Sequence, residues 1–230
     1  MNKRQFLKLS SLLLVQSLYG KEINANNIIS NFIGKKKEKF IPATKKISML
    51  DVPVNQNYID SPTMLHRAHN VYLSNKFKGG RGTKHIHLVN THTGEVFKET
   101  FKVNGRYNKI ALRKFNYFMR DFRTGSVKNI NPYILDILYE LKTKTNHRSP
   151  FYVLSGYRTR QTNELLRRKS KKVAKNSLHI KGFAIDITSH EKSISYLAKV
   201  SRRMSLGGVG EYRAQNFVHL DTGHVRHWFG

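Results

Sequence analysis

Residues 177–188, Ser-Leu-His-Ile-Lys-Gly-Phe-Ala-Ile-Asp-Ile-Thr, constrain this chain more than any other stretch. Phe183, Ile185 and Ile187 alternate with Ala184, Asp186 and Thr188, the period of a β-strand with one apolar face. Asp186 therefore projects from the other face. His179 stands seven residues earlier, with Gly182 between them to let the backbone bend. A histidine and an aspartate delivered to one side of a sheet are two of the ligand types that zinc takes. Late in the chain, Asn216-Phe217-Val218-His219-Leu220-Asp221 reads as a second strand. Val218 and Leu220 take one face; Phe217, His219 and Asp221 take the other. Two such strands could bring His179, Asp186 and His219 together and leave a fourth position for water. That is the open, three-ligand pattern of a catalytic zinc rather than the closed pattern of a structural one.

Composition narrows the chemistry further. The chain has no cysteine, so a thiolate metal site and a disulfide framework are both excluded, and any metal rests on His, Asp or Glu. His85 and His87 share a strand face, but no third ligand has a readable relation to them, and they read as part of a hairpin. The formal charge of +28 favours anionic partners. Nucleic acid is not expected among them, because no helix-turn-helix, zinc finger or aromatic-basic RNA motif is present.

The motif Ser177-x-His179-x-x-Gly182-x-Ala184-x-Asp186, followed by Phe217-Val218-His219, resembles the signature of the zinc D-Ala-D-Ala metallopeptidases. Lysostaphin-type peptidases and the hedgehog domain share that metal site. Ser155-Gly156-Tyr157-Arg158, Gly207-Gly208-Val209-Gly210, Asp221-Thr222-Gly223 and Arg226-His227-Trp228 narrow the likeness to the murein endopeptidases of that group, from about Lys84 to Trp228. The resemblance implies one zinc per chain, held by His179, Asp186 and His219, and hydrolysis of amide bonds in the peptide cross-links of peptidoglycan. It also implies that Arg158 lies beside the metal and engages substrate, a task that suits a planar, permanently charged guanidinium.

The general base is less determined. Related metallopeptidases often carry an acidic residue three positions before the last histidine ligand. Asn216 stands there, and asparagine is not a base. His227 and Asp221 are the remaining candidates, with Asp221 alternatively orienting a ligand from behind. A D,D- or L,D-carboxypeptidase with the same site, and a non-catalytic zinc or cell-wall-binding module, stay open as alternatives.

The expected fold class is α+β, an antiparallel sheet carrying the zinc site and packed with several helices. Residues 85–103 read as a hairpin with a glycine in its turn, and residues 151–154 as a short buried strand. Residues 108–123 have helical periodicity. Asn131-Pro132 opens a second helix, residues 162–168 a third, and Ser189 caps a fourth that runs to Met204. Gly207-Gly208-Val209-Gly210 reads as a turn.

Three segments are expected: residues 1–25 as an export signal or anchor, residues 26–83 as a basic linker or arm, and residues 84–230 as the zinc peptidase domain. Asn2-Lys3-Arg4-Gln5-Phe6-Leu7-Lys8 before a short apolar run resembles a twin-arginine export signal, with Lys3 in the first arginine place. The corresponding location is outside the cytoplasm, in the periplasm or cell envelope. There the partners would be peptidoglycan peptides and the anionic envelope, with a membrane contact through residues 1–20.

Overall fold

In the computed structural model the described residues are 64–230, with side chains from Ala68 onward. The export segment and most of the basic arm lie outside the described residues. Five α-helices and one eight-stranded sheet build the described part. Helix α1 (Met64–Phe77) leads into β1 (Thr83–Asn90), β2 (Val96–Val103), β3 (Arg106–Tyr107) and α2 (Lys109–Phe118). Then come α3 (Tyr133–Lys144), β4 (Phe151–Ser155), α4 (Arg160–Lys169), a 3-10 turn (Leu178–Lys181) and β5 (Ala184–Thr188). The chain closes with α5 (Ile194–Met204), β6 (Gly208–Tyr212), β7 (Phe217–Asp221) and β8 (Arg226–Phe229).

The strand order is β3-β2-β1-β4-β5-β7-β6-β8. Two neighbouring pairs, β1 with β4 and β6 with β8, are parallel, and the rest are antiparallel. The α+β expectation therefore holds, with a mixed and mostly antiparallel sheet. Alternation sorts the two faces. Ile185 and Ile187 of β5, Val218 and Leu220 of β7, and Val209 of β6 join Ile134, Leu138, Leu197 and Ala198 of α3 and α5 in the main core. Each of these side chains other than Ala198 contributes roughly 1.5–3 kcal/mol on burial. The core face fixes the register of β5 and β7, and the alternate residues are thereby committed to the opposite face.

Local chemistry sets the element ends. Asn108 caps α2 by accepting from the backbone N–H groups of Ile110 and Ala111. Helix α2 stops at Phe118 rather than running to Arg123, because Asp121 is buried and its carboxylate accepts from Arg123 N, Thr159 N and Thr159 Oγ1. Ser193, not Ser189, caps α5. Ser189 instead organises the preceding turn through the N–H groups of Glu191 and Lys192, and its hydroxyl lies 2.7 Å from His147 Nε2.

Three further readings change. The stretch assigned to the arm contains α1, which buries Asn70, Leu73 and Phe77. Its last carbonyl, of Phe77, accepts from the buried Lys102 ammonium at 2.9 Å, and Lys102 also pairs with Asp136 of α3. Such a helix forms by docking rather than by amphipathic periodicity, which is why its sequence carries little signal. Phe183 does not extend the Ile185–Ile187 face but packs with Leu178 and Ala184 in a small separate cluster. The glycine-rich run at 207–210 is not a turn: Gly208 opens strand β6.

Candidate metal centre

The 3-10 turn that carries His179 is closed at both ends by local chemistry. Ser177 Oγ accepts from the backbone N–H of His179, and Gly182 ends the turn at φ 74°. A side chain at Gly182 would also place its Cβ 2.6 Å from the Asn129 carbonyl oxygen, so only glycine fits there. Asp186 and His219 face each other as register partners on β5 and β7. His179 and Asp186 are buried, and the His219 side chain is 12 % exposed.

Three donor atoms converge. Asp186 Oδ1 lies 3.1 Å from His179 Nε2 and 2.8 Å from His219 Nδ1, and the two ring nitrogens are 3.2 Å apart. Tetrahedral ligands at zinc distances sit about 3.3 Å from one another, so the spacing fits. The tautomers fit as well. His179 Nδ1–H donates to the Gly156 carbonyl at 2.7 Å, which leaves its Nε2 lone pair for the site. His219 Nε2–H donates to Asp221 Oδ2 at 3.1 Å, which leaves Nδ1 for the site. Each imidazole is thus oriented by an acceptor behind it, the usual support of a metal ligand.

The electrostatics point the same way. Burial, reinforced by the nearby Arg158 charge, pushes His179 down to about 4, so it is a neutral donor at ordinary pH. Burial opposes a charge on His219 too, but hydrogen bonds to Asp186 and Asp221 overcome it and raise His219 to about 9. Burial alone would raise Asp186, and the two histidines instead hold its carboxyl well below the usual range. The site favours positive charge where the three donors meet: a proton on His219 Nδ1 supplies it, and a bound divalent cation would supply it in that proton's place. Among the described residues this is the one group of three or more His, Asp or Glu placed to hold a metal; His85 and His87 are not part of one.

Arg158 reaches the same place from the end of β4. Its Nη2 donates to Asp186 Oδ2 at 2.7 Å and its Nε to Ser155 Oγ at 2.8 Å. It therefore fixes the carboxylate oxygen that does not face the histidines. Asp221 is buried beneath His219, and its carboxylate accepts from Gly208 N, Gly223 N and both terminal nitrogens of Arg226. Burial by itself would raise Asp221, but the hydrogen bonds and charges of His219 and Arg226 hold its carboxyl well below the usual carboxylate range. Both oxygens of Asp221 thus already accept hydrogen bonds, one of them from His219. His227 is not brought to the site. Arg226 and Trp228 line the cavity, whereas His227, between them on β8, is exposed on the opposite face.

The sequence did not reveal how β8 reaches these donors. Asp186, His219, Gly210 and Trp228 form one row across β5, β7, β6 and β8. A Cβ on Gly210 would lie 2.6 Å from the Trp228 ring, and one on Gly208 would strike both Arg226 Nη1 and Asp221 Oδ2. The two glycines leave β6 bare, so Arg226 and Trp228 cross over it to Asp221 and His219 of β7. The alternation Gly-x-Gly against Arg-x-Trp is the sequence signal for this arrangement, and it is readable only once β6 and β8 are known to be paired.

A cavity of about 380 Å³ opens over the three donors. Ser170, Lys172, Val173, Ala174 and Asn176 line it from the loop after α4, and Tyr212, Phe217 and Trp228 line it from the sheet. Asp186 is the sole carboxylate in this lining.

Comparison with known proteins gives a consistent result. Residues 78–228 match the family described as peptidoglycan L,D-endopeptidase MepK. The peptidoglycan L,D-endopeptidase MepK of Escherichia coli (strain K12) is 43% identical over 141 residues, which cover 61% of this chain and 78% of that protein. The probable peptidoglycan L,D-endopeptidase MepK of Haemophilus influenzae is 38% identical over 142 residues, covering 61% and 76%. No solved structure matches significantly.

Proposed function

The chain belongs to the peptidoglycan L,D-endopeptidase MepK family of M15 peptidases, and from that premise we propose that His179, Asp186 and His219 hold one catalytic zinc ion per chain. The enzyme is a hydrolase of the peptide cross-links of the cell wall, which implies work in the cell envelope. The observation that carries the zinc reading is the convergence of His179 Nε2, Asp186 Oδ1 and His219 Nδ1 beneath a cavity, each histidine oriented by an acceptor behind it. Bound there, zinc would supply Lewis acidity to the scissile carbonyl and to the attacking water.

The chain's own residues supply the rest. Arg158 binds Asp186 through Nη2 and Ser155 through Nε, and lines the cavity. Its fixed charge is placed to stabilise negative charge that develops on the carbonyl oxygen or to hold a substrate carboxylate. Asp221 orients His219 and takes no proton from substrate, because its oxygens already accept from His219, Arg226 and two backbone N–H groups. We read diaminopimelate-containing cross-links, including those between two diaminopimelate residues, as the substrate. Residues 1–25 act in this reading as an export signal or anchor, the basic segment after them as an arm that meets the anionic envelope, and the periplasm as the place of work.

The test is digestion of purified, diaminopimelate-type peptidoglycan with identification of the released peptides by mass spectrometry. The zinc-loaded enzyme should convert cross-linked dimers to monomers. His179→Ala should lose stoichiometric zinc together with activity. Full zinc content in that variant would remove His179 from the ligand set, and intact cross-links after treatment with the wild type would sink the hydrolase assignment.

A further inference from the structure

The cavity over the metal centre has two walls of different chemistry. The sheet wall is aromatic. Tyr212 and Phe217 stack with centroids 4.4 Å apart, Trp228 Nε1–H donates to the Tyr212 hydroxyl at 2.9 Å, and the Trp228 ring lies 5.3 Å from that of His219. All three rings are only half-buried and line the cavity. Strand alternation puts Tyr212 and Phe217 on the same face as Gly210 and His219.

The other wall brings in cations. Three basic side chains line the cavity, Lys172 from the loop after α4, Arg158 from beyond β4 and Arg226 from β8. Two already pair with a buried carboxylate, Arg158 with Asp186 and Arg226 with Asp221. Lys172 is exposed and has no ion-pair partner among the described residues. Lys171 and Lys175 flank it, exposed and likewise unpaired. The cavity therefore carries uncompensated positive charge at its mouth and an apolar platform beside the metal centre.

We propose that this cleft selects peptides that present a free carboxylate next to an aliphatic side chain, with Lys172 reading the carboxylate and the Trp228–Tyr212–Phe217 platform taking the aliphatic part. The inference deepens the hydrolase reading and rests on it. A single exposed ammonium gives a charge preference rather than a rigid geometric one, because lysine is a flexible point charge without a planar fork. Lys171 and Lys175 add to the local potential, which steers an anionic peptide toward the mouth and is screened by salt.

The experiment uses two defined cross-linked peptides that differ only in whether the carboxylate beside the scissile bond is free or amidated. Each is also made with a ketomethylene unit in place of the scissile amide, so that binding can be read without turnover. Trp228 is the chain's single tryptophan, so its fluorescence reports occupancy of this cleft directly. For the wild type, amidation should weaken binding roughly fivefold, the upper end for an exposed ion pair. Lys172→Gln should weaken the free-carboxylate peptide by the same factor and leave the amidated one unchanged. The difference between peptides should shrink as salt is raised. For cleavage of the unmodified peptides by Trp228→Leu, KM should rise for both alike. If Lys172→Gln and wild type bind both peptides equally, the carboxylate reading is overturned while the hydrolase assignment stands. If the wild type cleaves neither unmodified peptide, the hydrolase assignment falls and this inference falls with it.

Discussion

Two arginines sit on two buried carboxylates at this site, and their positions give them different work. Arg158 holds Asp186 Oδ2 from the cavity side, beside the donors themselves. A cation there opposes a bound metal electrostatically, so its loss does not empty the site; it removes charge stabilisation from the reacting carbonyl. Arg158→Ala is expected to keep stoichiometric zinc and a wild-type melting temperature while turnover falls by about a hundredfold, the scale for one oxyanion donor. Arg158→Lys should recover part of that loss, because it keeps the charge without the paired geometry. Arg226 holds Asp221, and through it His219, from the far side of β6. Arg226→Gln is expected to weaken zinc affinity roughly 10–100-fold in competition with a chelator, the range for groups that orient a ligand. Near-wild-type rates in Arg158→Ala would make that residue structural, and unchanged zinc affinity in Arg226→Gln would break the link to His219.

At the scale of elements, β6 and β8 act as a unit. Strand β6 is stripped of side chains at Gly208 and Gly210 on the site face, and β8 lays Arg226 and Trp228 across it. Crowding at Gly210 involves a rigid ring rather than the end of a flexible chain, so Gly210→Ala cannot be absorbed by a small rotation. The expected cost is about 1–3 kcal/mol, as for overpacking in a well-packed region. The melting temperature should drop, and Trp228 emission should shift red as the indole is displaced toward water. The same substitution made together with Trp228→Ala should cost clearly less than the sum of the two single changes, since the clash is then gone. Strict additivity in that cycle would mean that the two positions do not touch.

For the molecule as a whole, 42 basic residues face 14 acidic ones, and the buried Asp136, Glu211 and Asp221 are each engaged by a cation. Glu211 is an example that ties β6 to α5. Its carboxylate accepts from Arg202 and Arg213, and those bonds hold it at about 2 although burial works to raise it. Its unfolded value is 4.5, so the folded state binds the proton less readily. The stability this gives is complete above that value and is lost as pH falls from there toward 2. Net positive charge rises over the same range and adds self-repulsion. The melting temperature is therefore expected to fall steeply on acidification through this window, and Glu211→Gln should show a lower melting temperature at neutral pH with a shallower fall. An equally steep fall in the variant would assign the acid sensitivity to other carboxylates.

The sequence by itself determined the α+β class and the gathering of His179, Asp186 and His219. Strand alternation states the faces of Asp186 and His219, while His179, on the turn before β5, was legible through the spaced motif and the family it resembles. His227 was a candidate only through its place in the tail after Asp221, and β8 turns it to the exposed face away from the cavity. The same logic failed for α1, whose stability comes from docking through Leu73, Phe77 and the Lys102 contact rather than from its own periodicity. It read Gly207-Gly208-Val209-Gly210 as a turn because glycine is a poor strand former, whereas here bare backbone is what lets side chains of a neighbouring strand cross. Tertiary pairing settles which carboxylate faces the cavity, which one lies behind a histidine, and that the unpaired Lys172 lines the cavity. Those are properties of pairing between segments distant in the chain, and charge or spacing along a single segment does not encode them.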